Sequence, residues 1–199
     1  MSAKRIFDIV FSLMGLLLLF PAFLIISVAI KIDSRGPILF QQIRAGQFNK
    51  PFSILKFRTM VINAETIGAQ VSTGDDPRIT KVGRLLRKYK LDEFPQLINV
   101  AKGDMSFVGP RPEVPRFVAA FESDYQKILN VKPGITDFAS IEYKDENQLL
   151  MFDEDPERKY IEEIMPKKIS YYHKYLVEQS MKTDIILILK TIFKISRKK

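Results

Sequence analysis

A chain of 199 residues is long enough for one domain with a buried core and gives no reason to expect a large second one. It has no cysteine, which excludes disulfides, thiolate metal sites and thiol nucleophiles, and its single histidine, His173 in SYYHKYL, reads as a surface or core-edge residue. Lysine and arginine total 31 against 23 acids, a formal charge of +8 that attracts nucleic acid, anionic lipid or phosphorylated substrates without choosing among them.

The first element chooses. Lys4 and Arg5 precede an apolar run from Ile9 to Ile30, and Lys31 and Asp33 close it. At about 1.5 Å of rise per residue, such a helix reaches across a hydrocarbon core of roughly 30 Å, so membrane attachment is expected. No small-residue cleavage site follows the run, and it is longer than the apolar part of a secretion signal. Lys4, Arg5 and the basic remainder of the chain all favour the cytoplasmic side, which a simple span does not allow. Pro21, in the middle of the run, removes a helix hydrogen bond and bends the chain. A bent segment that enters and leaves by the same face keeps both charged ends in the cytoplasm; a tilted single span with a tolerated kink is the alternative. Ser12 and Ser27 are the polar side chains within the run that could satisfy freed backbone groups.

GPILFQQIRAGQFNKPFSILKFRTM then reads as two strands, about 38–44 and 52–58, joined by a Gly/Asn-containing turn. Lys56 and Arg58, two apart, share one face of the second strand, either as a functional pair or as solvated charge. In ITKVGRLLRKYK, Ile79, Val82, Leu85, Leu86 and Tyr89 fall at helical spacing, with Lys81, Arg84, Arg87 and Lys88 elsewhere on the turn. This basic amphipathic helix suits a membrane surface or a core edge equally well.

Asp92, Glu93, Phe94 and Pro95 follow. Asp92 has the chemistry of an N-cap and Pro95 suits a first turn, so a new helix is expected to begin at the acids. Its electropositive start would keep a carboxylate ionised and attract phosphate, with Arg87 adding a cation. An ionised carboxylate beside phosphate-binding groups is what an aspartyl nucleophile attacking phosphorus requires, and a divalent metal shared with the adjacent Glu would neutralise phosphate charge. A plain helix cap is the alternative. In Gly109-Pro110-Arg111-Pro112 two prolines fix the backbone on either side of one arginine, a way to present a guanidinium to phosphate or base, or simply a structural turn. The acidic stretch KDENQLLMFDEDPERKYIEEIMP reads as a solvated loop with a short helix. MKTDIILILKTIFKISRKK reads as an apolar and basic helix at the membrane or under the core, too interrupted by Lys190 and Lys194 to span.

In this order, KRIFDI, the Pro-broken apolar segment, FNKPFSILKFRTM, DDPRITKVGRLLRKYKLDEFPQLINVAKGDMSFVGPRPEV and KPGIT closely resemble the bacterial sugar transferases, the monotopic phosphoglycosyl transferases, from about Lys4 to Thr136. The length looks like that of the small members. The resemblance implies an α+β fold, mainly α, with a re-entrant N-terminal membrane helix hairpin, a small β-hairpin and interfacial amphipathic helices around an active site at the cytoplasmic face. Residues 1–36 would form the anchor, with Lys4, Arg5 and Pro21 shaping it, and 37–199 the catalytic unit. The implied reaction moves a sugar 1-phosphate from a UDP-sugar to a polyprenol phosphate with release of UMP, at the bacterial inner membrane, by a ping-pong route. By the same resemblance Asp92 is the nucleophile, Glu93 helps bind Mg²⁺, Arg87 holds donor phosphate, Arg111 in its turn with Pro112 contacts the nucleotide, and Lys56 and Arg58 serve substrate binding or packing. Two departures stand out: Phe20 precedes the proline where the family often has Ser, and PGITDFASIEY lacks the family's common Gly-containing, Gln-ending version. A non-catalytic membrane scaffold is the competing reading. Nucleic acid is not an expected partner, since no aromatic RNA-binding block or helix-turn-helix signature is present. Self-association, the sugar and the pathway are left open.

Overall fold

The computed structural model describes residues 2–64, 76–143, 149–150 and 155–196. α1 (Ala3–Asp33) opens the chain, with Ser2 capping it by accepting from the Arg5 N–H, and runs through Pro21 as one continuous helix rather than as two helices parted by a turn. Its apolar side chains, Leu17, Leu18 and Ile25 among them, are mostly exposed, and its length and composition suit a membrane. The serine hydroxyls donate to the carbonyls of Ile9 and Phe23, not to that of Leu17, the acceptor that Pro21 cannot reach.

Both ends of α1 rest on the same body. At the start, Arg5 donates to the Val100 and Ala101 carbonyls at 2.6 and 2.7 Å, Lys4 pairs with Asp184 and donates to the Val108 carbonyl at 3.0 Å, and buried Asp8 accepts from Ser106 and the Phe107 N–H. At the end, Asp33 accepts from the Val82 N–H at 2.9 Å, while Ile30 packs with Phe57 and Leu86. Lys4 and Arg5 thus face inward, onto protein.

β1 (Leu39–Ala45) and β2 (Pro51–Phe57) pair antiparallel, from Leu39 opposite Phe57 to Ala45 opposite Pro51, so the expected hairpin is present with its strands displaced by one residue. α2 (Lys81–Lys88) is capped by Thr80 and lies on the segment that leaves the hairpin: a Cβ on Gly83 would stand 2.1 Å from the Thr59 carbonyl oxygen. After a 3-10 turn, α3 (Gln96–Lys102) ends at Gly103, whose φ of 100° stops the helix. β3 (Ser106–Val108) pairs in parallel with β4 (Gly134–Thr136), which sequence pattern did not reveal; α4 (Pro115–Ala120) and α5 (Glu122–Ile128) lie between them.

α6 (Phe138–Glu142) follows, then α7 (Pro156–Lys159), a π-helical turn at Tyr160–Ile164, α8 (Met165–Glu178) and α9 (Met181–Ser196). The acidic stretch therefore holds the expected short helix, at α7, but is not simply solvated. Residues 144–148 and 151–154 lie outside the described residues, but Tyr160, Ile164 and Met165 are buried with Phe117, Tyr125 and Ile169 in the main core. Apolar side chains spaced along a charged sequence bury themselves on one face while the acids stay outside. Among the described residues the chain is mainly helical, with two small two-stranded sheets.

Candidate active site

Asp92 and Glu93 occupy one 3-10 turn, Leu91–Glu93, entered through Lys90 with left-handed backbone (φ 58°). That conformation costs a lysine about 1 kcal/mol, so the surrounding packing must hold it. The expected N-cap is corrected here: α3 begins at Gln96, with Pro95 at its cap and no side-chain cap hydrogen bond. The tight turn ends before the helix begins, which leaves Asp92 ahead of it. Asp92 is 8% exposed and its Oδ1 is buried with no hydrogen-bond partner.

Glu93, its neighbour, is held by cations, chiefly through one oxygen. Oε1 accepts from Lys56 Nζ at 3.0 Å and from Arg111 Nη2, and Oε2 has Arg111 Nη1 at 3.5 Å, the outer limit of a hydrogen bond. The two carboxyls are pushed apart. Burial and the charge of Glu93 raise Asp92 above the usual carboxylate range, against the pull of Lys56, Lys90 and Arg87. Burial acts the same way on Glu93, but Arg111, Lys56 and Lys90 outweigh it and hold Glu93 well below its ordinary range.

The expected site residues separate into two sets. Lys56, Arg87 and Arg111 join the acids around a cavity of about 1110 Å³, and Lys90, which sequence reasoning passed over, joins them. Arg87 is steadied from behind by Thr59, whose hydroxyl oxygen accepts from Nε at 2.9 Å. Another stretch of the same lining is apolar, drawn from Phe11 and Leu19 of α1 and Ile188 and Ile192 of α9. One chamber thus has a charged region and an oily one.

Arg58 borders the cavity, yet its three guanidinium nitrogens donate to the Pro37 carbonyl, the Ser34 hydroxyl and the Ser34 carbonyl at 2.6 to 2.8 Å. It fastens the exit of α1 to the hairpin, the packing half of its expected role. Pro112 offers its carbonyl to Arg44 at 3.1 Å, while the Arg111 N–H donates to Asp137.

The bacterial sugar transferase profile matches residues 1–198. This chain belongs to that family. Among its relatives, a UDP-N-acetylgalactosamine-undecaprenyl-phosphate N-acetylgalactosaminephosphotransferase of Aeromonas hydrophila is 38% identical over 192 residues, covering 95% of this chain and 42% of the relative. A UDP-glucose:undecaprenyl-phosphate glucose-1-phosphate transferase of Escherichia coli K12 is 37% identical, covering 96% and 39%. A putative undecaprenyl-phosphate N-acetylgalactosaminyl 1-phosphate transferase of Bacillus subtilis is 43% identical over 124 residues, covering 62% and 69%. The chain spans about two fifths of the length of the first two relatives.

A second charged centre sits behind Arg111, and sequence reasoning missed it. Glu113 accepts from Lys168 at 3.0 Å and from the Tyr160 hydroxyl at 2.9 Å, with Arg44 at 3.7 Å, all but Arg44 almost fully buried. Two residues beyond Arg111, this knot ties the Pro-Arg-Pro segment to α8 and so holds the backbone from which the guanidinium reaches Glu93. The one signal in the sequence was an acid directly after the second proline. As for a metal, no group of three His, Asp or Glu side chains gathers among the described residues. A magnesium ion, which takes one or two carboxylates plus substrate oxygens, still fits Asp92 and Glu93: one offers an unoccupied oxygen and the other a loosely held Oε2.

Proposed function

We propose that this sugar transferase moves a sugar 1-phosphate from a UDP-sugar to polyprenol phosphate, such as undecaprenyl phosphate, giving polyprenol-diphosphate-sugar and UMP. The observation that carries the reading is a buried, unpartnered carboxylate oxygen on Asp92, beside a cavity lined by Lys56, Arg87, Lys90 and Arg111 at one part and by apolar side chains at another. A diphosphate donor matches the cations, and an acceptor with an oily tail matches α1 and α9.

Asp92 attacks the sugar-bearing phosphorus of the donor. An Asp92 oxygen–phosphorus bond forms, the bridging phosphorus–oxygen bond breaks, and UMP departs with the electron pair. The acceptor's phosphate oxygen then attacks the same phosphorus and releases the carboxylate, a ping-pong sequence. Arg87 and Lys90 hold donor phosphate, and Arg111, clasped to Glu93, contacts the nucleotide side. Glu93 anchors Lys56 and Arg111 and, with Asp92, would hold Mg²⁺, which supplies charge neutralisation for the diphosphate.

In this reading α1 dips into the inner membrane from the cytoplasmic face and returns. Support comes from its two ends, both of which are bonded to the one body that carries the charged site, with Pro21 inside the helix as the place for it to bend. The product would begin the membrane stage of glycoconjugate assembly. UMP release from a panel of UDP-sugars, by the protein in detergent with Mg²⁺ and undecaprenyl phosphate, tests the reaction. Wild type should release UMP with at least one donor and Asp92→Asn with none, while the variant's thermal midpoint stays equal or rises because a desolvated carboxyl has been replaced by a neutral amide. Undiminished release by Asp92→Asn sinks the aspartyl route.

A further inference from the structure

The stripe of α2 that points away from the protein is Lys81, Arg84, Leu85 and Lys88, spaced three, four and seven residues apart, and Tyr89 continues it. All five are exposed, the leucine by 55%. Beside the helix start, where Asp33 accepts from the Val82 N–H, the exit of α1 adds exposed Lys31, Ile32 and Arg35. None of Lys31, Arg35, Lys81 and Arg84 makes a salt bridge among the described residues. The patch therefore carries five cations and three large exposed apolar or aromatic side chains, and it is continuous with the exposed apolar surface of α1. An ordinary solvated face has no use for Leu85 and Ile32, whereas a lipid surface accepts apolar side chains at the acyl boundary and cations among headgroup phosphates.

The inner face of the same helix reaches the active site. Leu86 packs with Ile30 and Phe57, Gly83 lies against the Thr59 backbone, and Arg87 lines the cavity with its Nε on the Thr59 hydroxyl. We infer that α2 is a lipid-sensing helix: its outer stripe docks on anionic phospholipid headgroups, and this docking steadies the turn that holds Arg87 and so raises turnover. The inference deepens the membrane reading above and rests on it.

The test uses the full chain in nanodiscs of phosphatidylcholine alone or with phosphatidylglycerol, for wild type and for the triple variant Lys81→Gln, Arg84→Gln, Lys88→Gln, whose changes are all on exposed side chains. Amide exchange across residues 81–89 should be about ten-fold slower for wild type on the anionic discs, a conservative reading of three surface cations, and the triple variant should lose that difference. UMP release should rise with phosphatidylglycerol for wild type and not for the variant, with equal rates of the two in neutral detergent. Identical exchange on both lipids, or the same slowing in the variant, overturns the inference. Slowed exchange without UMP release from any donor leaves the docking standing and removes the proposed reaction instead.

Discussion

Two adjacent carboxyls with opposite tendencies define the chemistry at the scale of single residues. In the proposed reaction Asp92 attacks as the carboxylate, so turnover should fall as pH drops through its raised value. Glu93→Gln removes the neighbouring charge and leaves Lys56, Lys90 and Arg87 to favour the Asp92 carboxylate; the acid limb of the pH–rate profile should move to lower pH. Movement to higher pH would mean that Asp92 is not the titrating group. The same change has a cost with the opposite sign. Glu93, held low by its ion pairs, contributes stability above the ordinary carboxyl value that is lost as pH falls through its folded value. Its replacement should therefore lower stability by about 3 kcal/mol near neutrality, with the deficit narrowing in acid, as urea titrations at several pH values would read. The adjacency of these acids is plain in the sequence. Their difference is not, because it comes from Arg111 and Lys56, brought in from 18 and 37 residues away.

Elements set those residues in place through contacts that pattern reading only partly anticipates. The hairpin and α2 follow from alternation and helical spacing, and both were legible to within a residue or two. What periodicity could not convey is how closely α2 lies on the segment after β2, since a glycine weakens a helix by about 1 kcal/mol without naming the neighbour that requires it. Gly83→Ala would drive a methyl into the Thr59 backbone, which belongs to the chain itself and cannot swing aside. A loss of about 2 kcal/mol in a denaturant titration is expected, together with weaker donor binding as Thr59 shifts under Arg87. A variant as stable as wild type would show that the two backbones are further apart. Arg58→Lys tests the other fastening: an ammonium cannot span the Ser34 and Pro37 carbonyls, so stability should fall by about 2 kcal/mol in calorimetry with wild-type KM retained. A raised KM at unchanged stability would return Arg58 to the substrate.

For the molecule as a whole, the order of motifs along the chain pointed to the family, while the parallel pairing of β3 with β4 and the knot at Glu113 stayed hidden. Both depend on residues that meet only after long detours, such as Glu113 and Lys168, 55 apart. Long-range closure also has a temporal side. Lys4, at the first turn of the apolar helix, finds its carboxylate partner 180 residues later, on α9. In the proposed membrane reading the anchor meets lipid during synthesis; Arg5 and Asp8 can then settle on residues 100–107, and the Lys4–Asp184 pair closes only when the last helix arrives. α9 thus acts as the latch of the assembly, and insertion into the bilayer and completion of the fold become separate events in the life of the chain.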